Sequence, residues 1–462
     1  MPRKKESVEI EDSNYIVHSK EKALKKSIVE GSFCSAYQGM SHSYITPFAL
    51  ALGSSSLQVG FLSSFAGLFS PIGQLFGSKL MEKYSRKSII LRMSTIQILL
   101  WIPIISLIWL HSNNLFLNYL PLLLIVFYSM LFFAFGLKNP SFFSWMGDLV
   151  DPKKRGKYFS KRNKINQSVG LVSFLLGAFV LDYFKTKGFV LIGFAIIFSL
   201  AIFFKFISKE IMKGIFSPKL KLNKGYYFSF KDFIKRYDNF GKFSFYQAFL
   251  FFSLMISSPF FAVYMLKYLN FNYVTFTVIS LSPVIFFILF SPIVGKFSDK
   301  FGNVKLLYLA GFLFPIVPLL WIFIESPLYL ILFPSLISGL ANAAFILAIN
   351  DFTYDAVSVQ RRGLCVAYTS LLTGIGIFLG SIIGGLIIEY LPINFMKPIL
   401  FSFLVSSLLI LMVSLFFLPQ LKEVRKTEEV PLSADLSHPF KTIHSDVVWF
   451  KNFLHDGKKS KV

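Results

Sequence analysis

Twelve stretches of about 20 mostly apolar residues dominate this chain, and a stretch of that length crosses the hydrocarbon layer of a bilayer as one helix. Six fall in the first half, at 29–51, 56–80, 89–110, 118–146, 164–184 and 187–208. Six fall in the second, at 243–268, 272–297, 304–325, 327–350, 364–390 and 397–419. Backbone groups inside lipid must bond to one another, so each stretch is predicted to be helical. Only 15% of the 462 residues are charged, against about 25% in a soluble domain. That balance excludes a soluble enzyme and a disordered chain. The two cysteines, Cys34 and Cys365, lie in apolar stretches, so neither a disulfide framework nor a metal site is expected, and no cofactor is implied. The opening MPRKKESVEIEDSNY has no apolar core before a small-residue cleavage site, so no cleaved signal peptide is expected.

A net charge of +23 first suggests a polyanionic partner. The placement of the charges gives another reading. With the N-terminus cytoplasmic, the short inner loops carry 15 Lys and Arg residues, and the outer loops carry four, Lys185, Lys187, Lys267 and Lys397. Such asymmetry marks the cytoplasmic side of a membrane protein. No nucleic-acid partner is therefore expected. The expected organisation is a cytoplasmic tail 1–28, a six-helix unit 29–208, a basic middle loop 209–242, a second six-helix unit 243–419 and a cytoplasmic tail 420–462. The expected setting is a monomer in the plasma membrane. Within the middle loop, 225–240 interleaves aromatics with Lys and Arg, as in an interfacial amphipathic segment or a solvated linker.

The two halves repeat one another. Ser32-Phe33 and Pro47-Phe48 match Ser244-Phe245 and Pro259-Phe260 at an offset of 212. SKLMEKYSRK (78–87) matches GKFSDKFGNV (295–304), and DLVDPKKRG (148–156) matches DAVSVQRRG (355–363). The matches keep their order and their offsets drift by only a few residues, which points to a 6+6 duplication.

These residues resemble the major facilitator superfamily. Its signature in the loop after helix 2 reads roughly G-x-L-x-D-R-x-G-R-K and is often echoed after helix 8. Here the echo is the better copy, with Gly295, Asp299, Lys300 and Gly302. The first copy keeps Glu82, Lys83, Arg86 and Lys87, with Ser78 and Ser85 at the glycine positions. Asp148-x6-Arg155 and Asp355-x6-Arg362 resemble the family's acid-x6-Arg motif after helices 4 and 10. The resemblance covers about residues 25–420. It implies an all-α membrane protein of twelve helices in two pseudo-symmetric six-helix bundles, a transporter and not an enzyme. It also implies that these charges latch the bundles together when the protein faces outward and part when it faces inward. The chemistry is reasonable at helix ends: acids accept backbone N–H groups at helix N-termini, and arginines fork onto carboxylates.

Gly376, Gly380 and Gly384 recur at four-residue spacing in the eleventh segment, a pattern that allows close helix packing in lipid. The fifth segment lacks the G-P-x-x-G-G motif of many drug/proton antiporters, and the fourth lacks their arginine.

Polar side chains in mid-membrane face a cavity or another helix. Ser35, Gln38, His42 and Thr46 form one stripe if the first segment is a continuous helix. Gln38 and His42 are the leading candidates for substrate contact. The family lines its cavity with helices 1, 4, 7 and 10, which adds Tyr128, Gln247, Ser257, Tyr264 and Asn342. His42 titrates near neutral pH in water and can couple transport to protons, or simply donate one hydrogen bond. Lys138 and Asp351 are placed to pair or to snorkel. With no fixed carboxylate in mid-membrane, neutral or amphipathic substrates are expected. The partners are a small-molecule substrate and the lipid bilayer, with H+ or Na+ open as coupling ion. Three functions compete: uptake or exchange of a polar metabolite, efflux of lipophilic compounds, and a non-transporting receptor.

Overall fold

Each apolar segment folds as helix, and no strand occurs among the described residues. The computed structural model describes residues 3–150, 155–217, 229–357 and 359–424; within these, the side chains of 3–18, 155–157, 299, 354 and 359–363 are not described. The first bundle comprises α1a (Arg3–Met40) and α1b (Ile45–Ala51), α2 (Ser56–Lys83), α3 (Arg86–Ser112), α4 (Leu120–Leu149), α5 (Arg155–Thr186) and α6 (Val190–Lys213). The second comprises α7a (Asn239–Met255) and α7b (Phe260–Val263), α8 (Tyr273–Phe301), α9a (Asn303–Leu313) and α9b (Ile316–Phe323), α10a (Pro327–Leu332) and α10b (Pro334–Ala356), α11 (Val359–Tyr390) and α12 (Pro398–Phe417). Eleven helical runs among the described residues are long and apolar enough to cross a membrane. The twelfth span is α1, whose apolar part is divided between its two pieces.

The first helix of each bundle is divided, and these two are repeat mates. In α1 the break is a short 3-10 turn at His42–Tyr44. In α7 the chain turns at 256–259, and α7b runs on into a π turn at Tyr264–Tyr268. Pro47, in the first turn of α1b, and Pro259, the last residue of the turn before α7b, are matched in the repeat. A proline has no N–H for the turn before it, so the helix restarts there. This corrects the expected stripe: Gln38 and His42 do not share one continuous helix. The freed backbone groups are bonded by side chains. Ser41 Oγ donates to the Tyr37 carbonyl at 2.6 Å, and Ser406 Oγ of α12 donates to the Ser253 carbonyl at 2.7 Å.

Small residues set the closest contacts. A Cβ on Gly73 would lie 2.5 Å from the Phe133 carbonyl oxygen, so α2 meets α4 backbone to backbone. Gly376, Gly380 and Gly384 face the carbonyls of Ala248, Phe252 and Ile256 on α7, as close packing requires. Between the bundles, α2 meets α11, where Gly60 faces the Ser381 carbonyl.

Three apolar clusters reveal the shape of the closure. One contains buried residues of both bundles, among them Phe48, Phe194, Phe260 and Tyr273, at the end away from the basic loops. The other two, around Phe243 and Phe352 and around Trp145 and Met212, lie in the basic halves of the second and first bundles. The bundles therefore share a core at the far end and have separate cores at the basic end.

Two flanking segments pack against the bundles. The first helix begins at Arg3, and Ala23 and Ser27 are buried against the basic end of the first bundle because they present small surfaces to Trp145 and Met146. Of the 225–240 segment, residues 229–240 are described, and they pack onto the second bundle. A short helix, Phe230–Ile234, starts with a Ser229–Asp232 capping box, and its Phe233 is buried between Phe240 and Tyr368. Accepting hydrogen bonds from the Ser229 hydroxyl and backbone N–H holds the Asp232 carboxyl below the usual carboxylate range. Residues 218–228 and 425–462 lie outside the described residues.

Candidate functional site

The break in α1 places His42 in an aromatic box inside the first bundle. Tyr37, Trp101, Tyr128 and Phe132 surround its ring at centroid distances of 5.2, 6.0, 5.7 and 5.4 Å. His42 Nδ1 and the Tyr128 hydroxyl are 3.3 Å apart and share a hydrogen bond, while Trp101 Nε1 donates to the Tyr37 hydroxyl at 2.9 Å. Of the first-bundle candidates, His42 and Tyr128 are thus brought together, and Gln38 stands apart, exposed on a cavity wall.

That cavity, about 460 Å³, occupies the basic half of the first bundle between α1a, α3, α4, α5 and α6. Four cations line it, Lys138, Arg162, Lys205 and Lys209, with one acid, Glu30. Glu30 accepts a 2.8 Å hydrogen bond from Ser208 Oγ and faces Arg162 Nη2 at 3.6 Å. Lys138 neither snorkels nor turns to Asp351. It donates to Gln97 Oε1 at 2.8 Å and interacts with Lys205. Lys205 is buried, with its ammonium 3.8 Å from Cys34 Sγ and over the Tyr37 ring. Sequence reasoning missed Lys205. It sits in IFFKFISKE, four residues before Lys209, and reads there as flanking positive charge; only its packing shows that it turns into the bundle.

The second-bundle candidates scatter. Asn342 lines a larger cavity, about 1040 Å³, which opens between α5 of one bundle and α8 and α10b of the other in their basic halves. Gln247 lines a cavity of about 390 Å³ with Asn350 and Thr369. Ser257 and Tyr264 are buried inside the bundle, where Ser257 Oγ bonds Ser406 Oγ at 2.9 Å and the Tyr264 hydroxyl donates to Glu325 Oε1 at 3.4 Å.

At the basic end one pair of motif positions bonds within each bundle. Buried Arg86, at the start of α3, donates through Nη1 to Asp148 Oδ2 at 2.6 Å and to Ser144 Oγ at 2.9 Å. The repeat-equivalent positions, Asn303 and Asp355, bond at 3.2 Å. Asn303 Oδ1 also accepts from Ser298 Oγ. Gly302 adopts φ +92°, which requires glycine, whereas Ser85 at the matching position has φ −66° and caps Ser88 N–H. Glu82 and Lys83 are exposed, Lys300 lies over the Phe301 ring, and a Cβ on Gly295 would meet nothing within 4 Å. The side chains of Arg155, Asp299 and Arg362 lie outside the described residues. Arg86→Ala should destabilise the protein by about 1.5–3 kcal/mol, the worth of hydrogen bonds to a charged group. Asn303→Ala, which removes neutral donors, should cost less; thermal unfolding in detergent compares the two, and equal losses would contradict the pairing.

The far end is closed by a contact that sequence reasoning also missed. Asp182, near the end of α5, accepts from the backbone N–H groups of Tyr273 and Val274 at 2.7 and 2.8 Å. With Asn272 capping Thr275 N–H, the opening N–H groups of α8 are bonded, two of them across the bundle interface. The Tyr44 hydroxyl donates to the Phe174 carbonyl and lies 3.3 Å from Thr277 Oγ1. Asp182 matches Glu389 at the offset of 207 that aligns 148–156 with 355–363, but its cross-bundle target has no local signal.

A duplicated twelve-helix unit, closed at one end and holding polar cavities at the other, defines a membrane transport protein. Residues 31–224 and 243–455 match the Major Facilitator Superfamily, and the chain belongs to that family. It is 30% identical over 100 residues to the uncharacterized transporter C460.03 of Schizosaccharomyces pombe, an alignment covering 22% of this chain and 18% of that protein. It is 25% identical over 169 residues to the class H tetracycline resistance protein of Pasteurella multocida, covering 36% and 40%. The chain thus spans less than half the length of these curated relatives. A point mutant of the nucleoside transporter NupG superposes with a TM-score of 0.66 at 15% identity, over 87% of this chain and all of that one. A bacterial homologue of the iron transporter ferroportin superposes at 0.67 in its inward-facing state, with 15% identity over 86% and 98% of the chains. In its outward-facing state the scores are 0.59 with soaked iron and 0.55 without.

Proposed function

We propose that this chain is a secondary transporter that moves a small molecule by alternating access, with both tails and the basic loops on the cytoplasmic side of the plasma membrane. The observation that carries this reading is the one-sided closure. Asp182, Tyr44 and one shared apolar cluster join the bundles at the far end, while the 1040 Å³ cavity parts them at the basic end. Two bundles in such contact can rock about a site between their ends. The higher TM-score against the inward-facing ferroportin homologue agrees with this conformation. The Lys and Arg asymmetry supports the orientation.

The polar wall around Gln38 favours a hydrophilic substrate. Efflux of lipophilic compounds is the second reading, supported by the apolar share of the inter-bundle cavity, Leu171, Phe287, Ile288 and Ile346, and by the partial similarity to a tetracycline resistance protein. Purified protein in liposomes with an imposed pH or sodium gradient separates these readings. Gradient-driven uptake of polar solutes supports the first reading, and movement of lipophilic dyes supports the second. No flux of any solute in a broad panel would favour a non-transporting receptor. His42 packs as a structural group in its aromatic box, so His42→Gln is expected to lower thermal stability while leaving the gradient dependence of flux intact. Loss of proton dependence in that variant would instead assign His42 to coupling.

A further inference from the structure

The cavity inside the first bundle has a charge imbalance that its own residues do not resolve. Arg162 has Glu30, and Lys209 has Glu210 at 3.8 Å. Lys138 and Lys205 make their direct contacts with neutral groups, Gln97 Oε1 for one and Cys34 Sγ with the Tyr37 ring for the other, and share the single carboxylate of Glu30 with Arg162 only at longer range. The two side-chain nitrogens also interact with one another. They lie eight residues or more from the basic ends of α6 and α4, about 12–17 Å into the helices at 1.5 Å per residue. Cations at that depth are costly unless they meet a counter-charge, and they mark substrate paths. Beside them, Gln38, Asn139 and Asn166 offer hydrogen-bonding groups to the same 460 Å³ space. A volume of this size takes a small metabolite.

We propose that this cavity binds a small organic anion, with a carboxylate or phosphate head between Lys138 and Lys205 and a hydrogen-bonding body against Gln38, Asn139 and Asn166. This rests on the transport reading and names its substrate class. It replaces the expectation of a neutral or amphipathic substrate, which followed from counting mid-membrane carboxylates without the lysines. An anion here offsets the crowding of two lysine charges and lets both side chains hold their protons, which a neutral solute of the same shape cannot do.

Cys34 supplies a reporter, because it lines this cavity while Cys365 is fully buried. In a Cys365→Ser background, reconstituted in phosphatidylcholine so that no lipid carries net charge, the rate of Cys34 alkylation by N-ethylmaleimide is measured with glucose 6-phosphate, gluconate or glucose at equal concentration. At least one of the two anions is expected to slow alkylation roughly tenfold at saturation, the effect of about nine-tenths occupancy. Glucose should not slow it. The protection ratio should vanish in Lys138→Gln and Lys205→Gln and survive in Lys205→Arg, a variant that controls for folding. Protection by glucose equal to that by its phosphate overturns the proposal, as does protection that persists in the glutamine variants or that neither anion provides. Counterflow in the same liposomes keeps the two readings apart. Counterflow of neutral solutes without anion protection overturns the anion site and leaves the transporter standing. Anion protection with no counterflow of any solute leaves the site standing and contradicts transport.

Discussion

Asp182→Ala is expected to open the end of the molecule that the native structure holds shut. The Asp182 carboxylate accepts from two consecutive N–H groups at the start of α8, at 2.7 and 2.8 Å. Those groups carry the positive end of the helix dipole, so the contact combines charge-assisted hydrogen bonding with dipole stabilisation. It exists only while α5 and α8 touch and therefore favours one state of the transporter over the other. Each hydrogen bond to a charged group is worth about 1.5–3 kcal/mol net, so the pair shifts the balance between the states by roughly 100-fold or more. Asn keeps one acceptor oxygen and loses the charge, so Asp182→Asn should have a smaller effect. Thr277 provides the readout. It is fully buried beneath the Tyr44 hydroxyl in the closed arrangement. In a background lacking the native cysteines, Thr277→Cys should be inert to a membrane-impermeant maleimide and become reactive when Asp182 is Ala. Equal reactivity with and without Asp182 would remove this contact from the account.

The second large effect concerns folding. Gly73→Val should prevent the first bundle from assembling. A Cβ at Gly73 meets the Phe133 carbonyl oxygen at 2.5 Å and the Gly136 Cα at 3.1 Å, while Gly77 and Gly136 lie equally tight against the backbones of α4 and α2. No flexible side chain stands in the way that can swing aside, so the helices must separate. Inserting even small groups into a packed core costs about 1–3 kcal/mol, and here the strain falls on two backbones at once. Separation also loosens the neighbouring glycine contacts, which share the same seam. Gly73→Val is therefore expected to yield little monodisperse protein in size-exclusion chromatography. Gly295→Ala, with open space around its Cβ, should elute and melt like the parent. A Gly73→Val protein as stable as the parent would contradict the packing.

Much of this architecture is legible in the sequence because lipid imposes it. Apolar length gives the helices, the repeat gives the two bundles, and the glycine spacing in α11 gives its contact with α7. Even the paired breaks leave a mark, since Pro47 and Pro259 occupy matched positions in the repeat. The misses share one physical cause. Lys205 reads as flanking charge until its packing places it inside a bundle, and Asp182 gains meaning only from a helix start 91 residues away. The Arg86–Asp148 and Asn303–Asp355 pairs use positions that the motifs single out, but pairing depends on which helix ends meet. A stripe drawn through Gln38 and His42 fails because it assumes an unbroken α1.

The central claim is that the two ends open and close reciprocally. Double electron–electron resonance tests it on one protein with two label pairs, one at exposed Lys187 and Lys397 across the far end and one at exposed Lys161 and Lys296 across the basic end. In the parent the far-end distance should be short and the basic-end distance long. Asp182→Ala should lengthen the first and shorten the second together. A far end that opens while the basic-end distance stays unchanged would mean local fraying of α5 from α8, and would contradict alternating access.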